Sequence, residues 1–213
     1  MADEVGMTRA YHFAPANFAL QDLRHRRLKI ARFDELNDPF ELWAIAQPDR
    51  RLRQALRKTK EDFARLYGLL CFSLSWHNPL LWSHYADRHR GLALGFDVAD
   101  EILKPVSYVE QRPTLTKIDP TVAQWLLFTK FVDWRYEHEA RIFTTLQERD
   151  SSGLYFGKFN EQVVLREVIV GPLSKVTKKD LRDALSGDDT VTLIKGRLAF
   201  NTFKVVRDKR GFK

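Results

Sequence analysis

The chain has 213 residues, 44% of them hydrophobic, with five Trp and fifteen Phe, enough for a substantial core, so wholesale disorder is excluded. A net charge of +7 and a pI near 9.5 favour something anionic as partner, such as nucleic acid, a nucleotide or an acidic protein. The single Cys71 excludes a disulfide framework or a cysteine-rich zinc site. No stretch approaches the ~20 apolar residues of a membrane span, and the N-terminus lacks an apolar signal core, so a cytoplasmic protein without membrane contact is expected.

Residues 1–9 are polar and read as a frayed tail. Arg9–Phe13 reads as a short strand, Pro15 opens a helix through about Arg26, and the alternation over Leu28–Phe33 suggests a second strand. Residues 34–41 are turn chemistry, since Asn37 and Asp38 bond locally to backbone and Pro39 forces Asp38 out of the helical region. Pro48–Tyr67 has the clearest helical period, with Leu52, Ala55, Leu56, Thr59, Phe63 and Leu66 on one face and Arg50, Arg51, Arg53, Arg57, Lys58 and Lys60 on the other.

Leu69–Trp76 is a buried strand by pattern, projecting Ser73 and Ser75 to one face. Asn78-Pro79 is an N-cap followed by proline at the first helical position, and Gly91 stands where a left-handed residue would stop that helix. Leu92–Phe96 is apolar throughout, as expected of a strand covered on both faces. Val106–Val109 is a weak strand and 110–118 a polar loop containing Pro113. Asp119-Pro120 caps a helix through about Val132, after which Asp133–Phe143 passes from helix end into strand. Residues 150–161 read as a Ser/Gly loop or hairpin, and Val163–Val170 is an apolar strand. Thr177 with Asp180 resembles a capping box for a short helix ending at Gly187, and Thr190–Lys195 and Ala199–Val206 are strands. Helices and strands alternate too irregularly for a doubly wound parallel sheet. The expectation is α+β, a single domain over 10–206 with a mixed, split β-sheet flanked by helices, and flexible tails at 1–9 and 207–213.

Two stretches carry candidate chemistry. In an extended segment Glu137, Glu139 and Arg141 share one face. The paired carboxylates raise each other's pKa while Arg141 opposes the rise, which suits a general base, hydrogen bonding to sugar hydroxyls or stabilisation of an oxocarbenium-like transition state. An exposed Glu–Arg strand pair is the plainer reading. The second stretch is the helix with Trp82, His84, Tyr85 and His89, where Trp82 reads as core. Neither a recognised metal motif nor a phosphate-cradling glycine loop occurs, so no metal is expected.

Tyr11-His-Phe, Phe33-Asp-Glu-Leu-Asn-Asp-Pro-Phe-Glu41, Leu81-Trp-Ser-His-Tyr-Ala-Asp87 and Trp134-x-Tyr-Glu-x-Glu-x-Arg141 together resemble a widespread bacterial family classed as a domain of unknown function, over roughly residues 10–206. A more distant resemblance is to the ADP-ribosyltransferases. It implies an ADP-ribosyltransferase-like fold with NAD as substrate. Glu139 and Glu137 would be the catalytic carboxylates and His12 would lie on the ribose, with Arg141, His84 and Asn37 lining the cofactor site. Either Tyr85 or the Ser73–Ser75 pair would lie on the nicotinamide side. It further implies a toxin or phage-defence effector that modifies nucleic acid or protein, with an antitoxin or defence-system partner. A non-catalytic nucleic-acid- or partner-binding module, and a hydrolase or nuclease using Glu137, Glu139 and Asp87, stay open as alternatives.

Overall fold

The computed structural model describes residues 6–41, 49–112 and 120–212. Residues 1–5 of the N-terminal tail, Pro48, Pro113, Asp119 and Lys213 lie outside that set, as do the side chains of Leu52, Leu56 and Thr59. In chain order the elements are β1 (Met7–Ala14), α1 (Ala16–His25), β2 (Arg27–Lys29), β3 (Ala31–Arg32), α2 (Arg50–Leu66), β4 (Tyr67–Ser73) and α3 (Pro79–Tyr85). There follow β5 (Leu92–Ala99), β6 (Lys104–Pro105), β7 (Ser107–Val109), α4 (Pro120–Leu127), β8 (Thr129–Phe131), a 3-10 turn (Val132–Glu137) and β9 (Glu139–Thr145). The chain closes with β10 (Phe156–Lys158), β11 (Val163–Val170), α5 (Lys178–Ala184), β12 (Thr192–Leu198) and β13 (Val205–Arg207). The class is α+β with mixed pairing. Chain contacts group into two compact units: residues 1–28, 72–103 and 157–213 in the first, 29–71 and 104–156 in the second.

In the first unit β5 is the central strand. It pairs antiparallel with β1 along eight residues, Met7 opposite Ala99 through Ala14 opposite Leu92, and antiparallel with β11 on its other edge. A bulge at Arg166 interrupts the second pairing, and the Arg166 guanidinium there bonds Asp97 at 2.9 Å. β12 runs parallel to β11, and β13 antiparallel to β12. The apolar run at 92–96 is thus buried because β5 lies between two neighbours, all five of its residues fully covered. β1 is longer than the expected 9–13 because the whole of β5 supplies partners.

Under this sheet Trp82 is completely buried. Its indole donates to the Trp76 carbonyl at 2.6 Å, and Phe13 meets it edge-on at 5.1 Å. Asn78 caps α3 by accepting from Leu80 N–H, with Pro79 at the first helical position. Gly91 does not play the expected stop. The left-handed residues are Asp87, Arg88 and His89, and the cap is Ala86. Gly91 is needed for close approach instead, since a Cβ there would overlap the Ala14 carbonyl oxygen and the Ala86 backbone.

In the second unit β3 pairs antiparallel with β4, β9 lies beside β4 and carries β6 antiparallel on its far edge, and β7 and β8 form a separate parallel pair. Phe33, Ala64, Leu69 and Leu127 form its core, and Tyr67 stacks on Phe143 at 4.8 Å. The expected strand 28–33 is divided into β2 and β3, which have different partners: β2 pairs with β10 and β3 with β4. α4 stops at Leu127 rather than near Val132. Its last carbonyls are satisfied from outside the helix, with Thr129 Oγ1 donating to Trp125 O at 2.7 Å and Arg141 Nη1 to Leu127 O at 2.8 Å. That frees Thr129–Phe131 to pair with β7.

Candidate functional site

The second unit encloses a cluster of five charged side chains, brought together by four local devices. Asp38 is buried and its Oδ1 accepts Phe40 N–H at 2.8 Å, while its carbonyl accepts Glu41 N–H at 3.0 Å. This Asx-type turn is what Asn37-Asp-Pro-Phe-Glu41 encodes, and it delivers Glu41 into the interior, 2% exposed. β8 delivers Lys130, and β9 delivers Glu139 and Arg141 on one face two residues apart. Glu137 arrives differently from the expected extended run. It ends the 3-10 turn, and His138, left-handed at φ 45°, turns the chain into β9.

The Arg141 guanidinium is fully committed. Nε and Nη2 grip Glu139 at 2.7 and 2.9 Å, while Nη1 and Nη2 reach Glu41 at 3.0 and 2.7 Å. Lys130 Nζ donates to Glu137 at 2.6 Å and Glu139 at 3.2 Å, and stands 3.5 Å from Glu41 and 4.6 Å from the centre of the Trp134 ring. Tyr108 Oη accepts the backbone N–H of Glu139 at 2.9 Å, fixing the start of the strand. Three carboxylates face two cations, one formal negative charge in excess.

Burial alone would push the Glu139 carboxyl up, but Arg141, and after it Lys130, overcome burial and hold it down at about 2. Burial likewise disfavours charged Lys130 and Arg141, yet Glu139 and its neighbours raise both above their usual ranges. Burial, with Glu139 adding to it, keeps the Cys71 thiol protonated. The two cations therefore prevail over the mutual repulsion of the carboxylates. Glu139 is a permanent negative charge at neutral pH and a poor general base.

Against this cluster lies a cleft of ≈ 240 Å³ whose walls include Lys130, Thr129, Phe131, Phe40 and Arg112. The Arg112 guanidinium lies over the Phe40 ring at 4.4 Å, and Phe40 and Phe131 are 55% and 43% exposed. Flat apolar faces beside a cation suit a planar ring carrying negative charge.

Comparison with family models, curated proteins and solved structures returned no match for this chain.

The other candidate residues divide between the units. Asn37 is exposed in the turn that delivers Glu41. His12, Ser73, Ser75, His84 and Tyr85 belong to the first unit. His12 is half-buried in β1, opposite Leu94 and edge-on to Phe72 at 6.0 Å. Ser73 ends β4 opposite Tyr11, and Ser75 lies past the strand's end. The two are joined as a turn: Ser73 Oγ donates to Ser75 O at 2.9 Å and accepts Ser75 N–H at 3.2 Å. They therefore do not project side by side from one strand face. His84 is exposed and Tyr85 half-buried, their rings 6.1 Å apart on the last turn of α3. Asp87 is an exposed left-handed residue after α3.

Sequence reasoning gave no role to Glu41 or Lys130. The signals were present. Lys130 is the one charge in the apolar run from Trp125 to Phe131, and Glu41 closes the Asn-Asp-Pro-Phe-Glu block.

Proposed function

We propose that this chain is an NAD-dependent ADP-ribosyltransferase, a toxin-like or defence effector, in which Glu139 supplies the negative charge that opposes the developing ribosyl cation. The observation that carries the reading is a carboxylate locked ionised by Arg141 and Lys130, in a cluster that backs onto a ring-sized cleft through Lys130. A charge fixed before the reaction needs no reorganisation when the bond breaks. In that step the bond between ribose C1′ and the nicotinamide nitrogen breaks, with its electron pair leaving on nicotinamide. C1′ is then captured by an acceptor oxygen or nitrogen, which loses its proton to solvent or a nearby base. Phe40, Phe131 and Arg112 offer the faces and the cation that an NAD ring and pyrophosphate require. An anionic acceptor such as nucleic acid rests on the motif resemblance.

The test is transfer of label from radiolabelled NAD to cell lysate by purified protein, with a chelator present to separate it from metal-dependent hydrolysis. Wild type should transfer label, and Glu139→Gln should lower transfer by at least ~100-fold while a melting curve shows it folded. Equal labelling by the two proteins would remove Glu139 from the chemistry.

A second reading draws on the cluster's internal pairing: with Glu139 only 7% exposed, the five charges are a scaffold and the chain is a non-catalytic binding module. Glu139→Gln would then change stability alone, and wild type would transfer no label.

A further inference from the structure

We propose that the hairpin joining β12 to β13, with the basic segment after it, docks single-stranded nucleic acid in the first unit. Phe200 and Phe203 at its tip are 87% and 97% exposed, and Leu198 beside them 53%. Large apolar side chains left almost wholly in water on an ordered turn mark an interaction site.

The tip is not a loose end that can fold its rings away. Ala199 N–H donates to Lys204 O and Lys204 N–H to Thr202 O, both at 2.9 Å, and Leu198, Arg197 and Gly196 pair in register with Val205, Val206 and Arg207. The base is tied down as well. Val205 N–H donates to His77 O at 2.9 Å, His77 Nδ1 lies 2.8 Å from Val205 O, and the Val205 side chain is fully buried with Trp76 and Trp82. This pairing fixes the backbone on both sides of the two phenylalanines.

The sequence that carries the rings is strongly basic. Residues 195–213 carry seven lysines and arginines against one aspartate, a surplus of six beside the +7 of the whole chain. Asp208 pairs with Arg210 within the same segment. The Arg197 guanidinium lies over the Phe200 ring at 4.5 Å, extending its flat surface with a cation. Exposed aromatic faces interleaved with cations are the pattern on which unstacked bases lie while phosphates meet Lys and Arg. Phe200 and Phe203 would take the bases, and Arg197, Lys204, Arg207 and Lys209 the phosphates.

A lipid surface shares the apolar-and-basic chemistry, but the tip argues against it. Asn201 and Thr202, both exposed, lie between the two rings, so inserting the tip would carry two polar side chains and their backbone groups into hydrocarbon. The same groups can face base edges in a nucleic-acid complex. Duplex DNA keeps its bases stacked and offers the rings no faces, so the single strand is favoured.

The inference is independent of the catalytic reading, and its assay contains no NAD. The full chain is titrated into fluorescently labelled oligothymidylate and the matching oligouridylate, followed by anisotropy at several salt concentrations. Binding should weaken linearly on a log–log plot as salt rises. Phe200→Ala with Phe203→Ala should weaken it at least ~10-fold at every salt concentration, and Lys204→Ala with Arg207→Ala should weaken it and flatten the salt slope. All four side chains are exposed or half-exposed, so melting temperatures should stay at the wild-type value. Undiminished affinity in the double phenylalanine variant overturns the proposal, as does equal affinity for a duplex of the same length. Phenylalanine-dependent binding to phosphatidylserine–phosphatidylcholine vesicles with no binding to either oligonucleotide overturns it in favour of a lipid surface.

Discussion

Arg141 is the residue on which the second unit's polar interior turns. It is 1% exposed, bonds two carboxylates and also satisfies the Leu127 carbonyl at the end of α4. Replacing one partner of a buried ion pair leaves the others unpaired in a low-dielectric interior, a larger cost than the net worth of the pair itself. Arg141→Met should therefore destabilise the protein by ~3–5 kcal/mol, read as a shift of the urea midpoint. Lysine at this position keeps the charge but loses the fork that holds Glu41 and Glu139 together, so Arg141→Lys should recover only part of the loss. Full stability in Arg141→Met would show that the cluster is not the structural centre of its unit.

Among the elements, the short ones are stabilised by their ends. α5 spans only seven residues, too short to persist by propensity. It begins with a complete capping box: Thr177 Oγ1 accepts Asp180 N–H at 3.1 Å, and the Asp180 carboxylate accepts Thr177 N–H at 2.8 Å. The aspartate takes the place of the usual glutamate. Thr177→Ala should cost ~1 kcal/mol by thermal denaturation, and a neutral result would mean that Leu181 and Ala184, both buried, hold α5 in place alone. α2 contrasts with it. Its seventeen residues carry a periodic sequence pattern, and its described side chains from Arg50 to Lys58 are exposed, with the buried contact supplied by Ala64 and the half-buried Phe63 near its C-terminal end.

At the scale of the molecule, two buried carboxyl groups oppose one another in the pH dependence of stability. Asp22 in α1 is 6% exposed; burial raises its pKa to about 7 against a weaker opposing effect of Arg27. The folded state then binds this proton more tightly than the unfolded chain, so its stabilisation is complete below about 3.8 and is lost as pH rises to about 7. Glu139 acts with the opposite sign. Its pKa falls from 4.5 to about 2, so its contribution is present above 4.5 and lost as pH falls toward 2. Asp22→Asn should flatten the decline of stability between pH 4 and 7, by on the order of 2–4 kcal/mol across the window, in urea titrations at each pH. An unchanged slope would show that Asp22 does not bind the proton. The charge of the molecule is also unevenly placed, with most of its surplus in the last nineteen residues.

The sequence by itself determined the α+β class, the continuous burial of Leu92–Phe96, the Asn78-Pro79 start of α3, the capping box of α5 and the turn at 37–41. Each depends on neighbouring residues, through backbone hydrogen bonding or local apolar density, and these are legible in order along the chain. Tertiary structure alone decided the rest. α4 ends at Leu127 because Thr129 and Arg141 take its carbonyls, and 28–33 divides because its halves find different partners. Glu41 and Lys130 join Glu139 from positions 98 and 9 residues away in the chain, a meeting that no local pattern encodes. The pKa of Glu139 follows from that meeting. A carboxylate pair reads from sequence as a raised, proton-exchanging site, and the two buried cations turn it into a permanently ionised one.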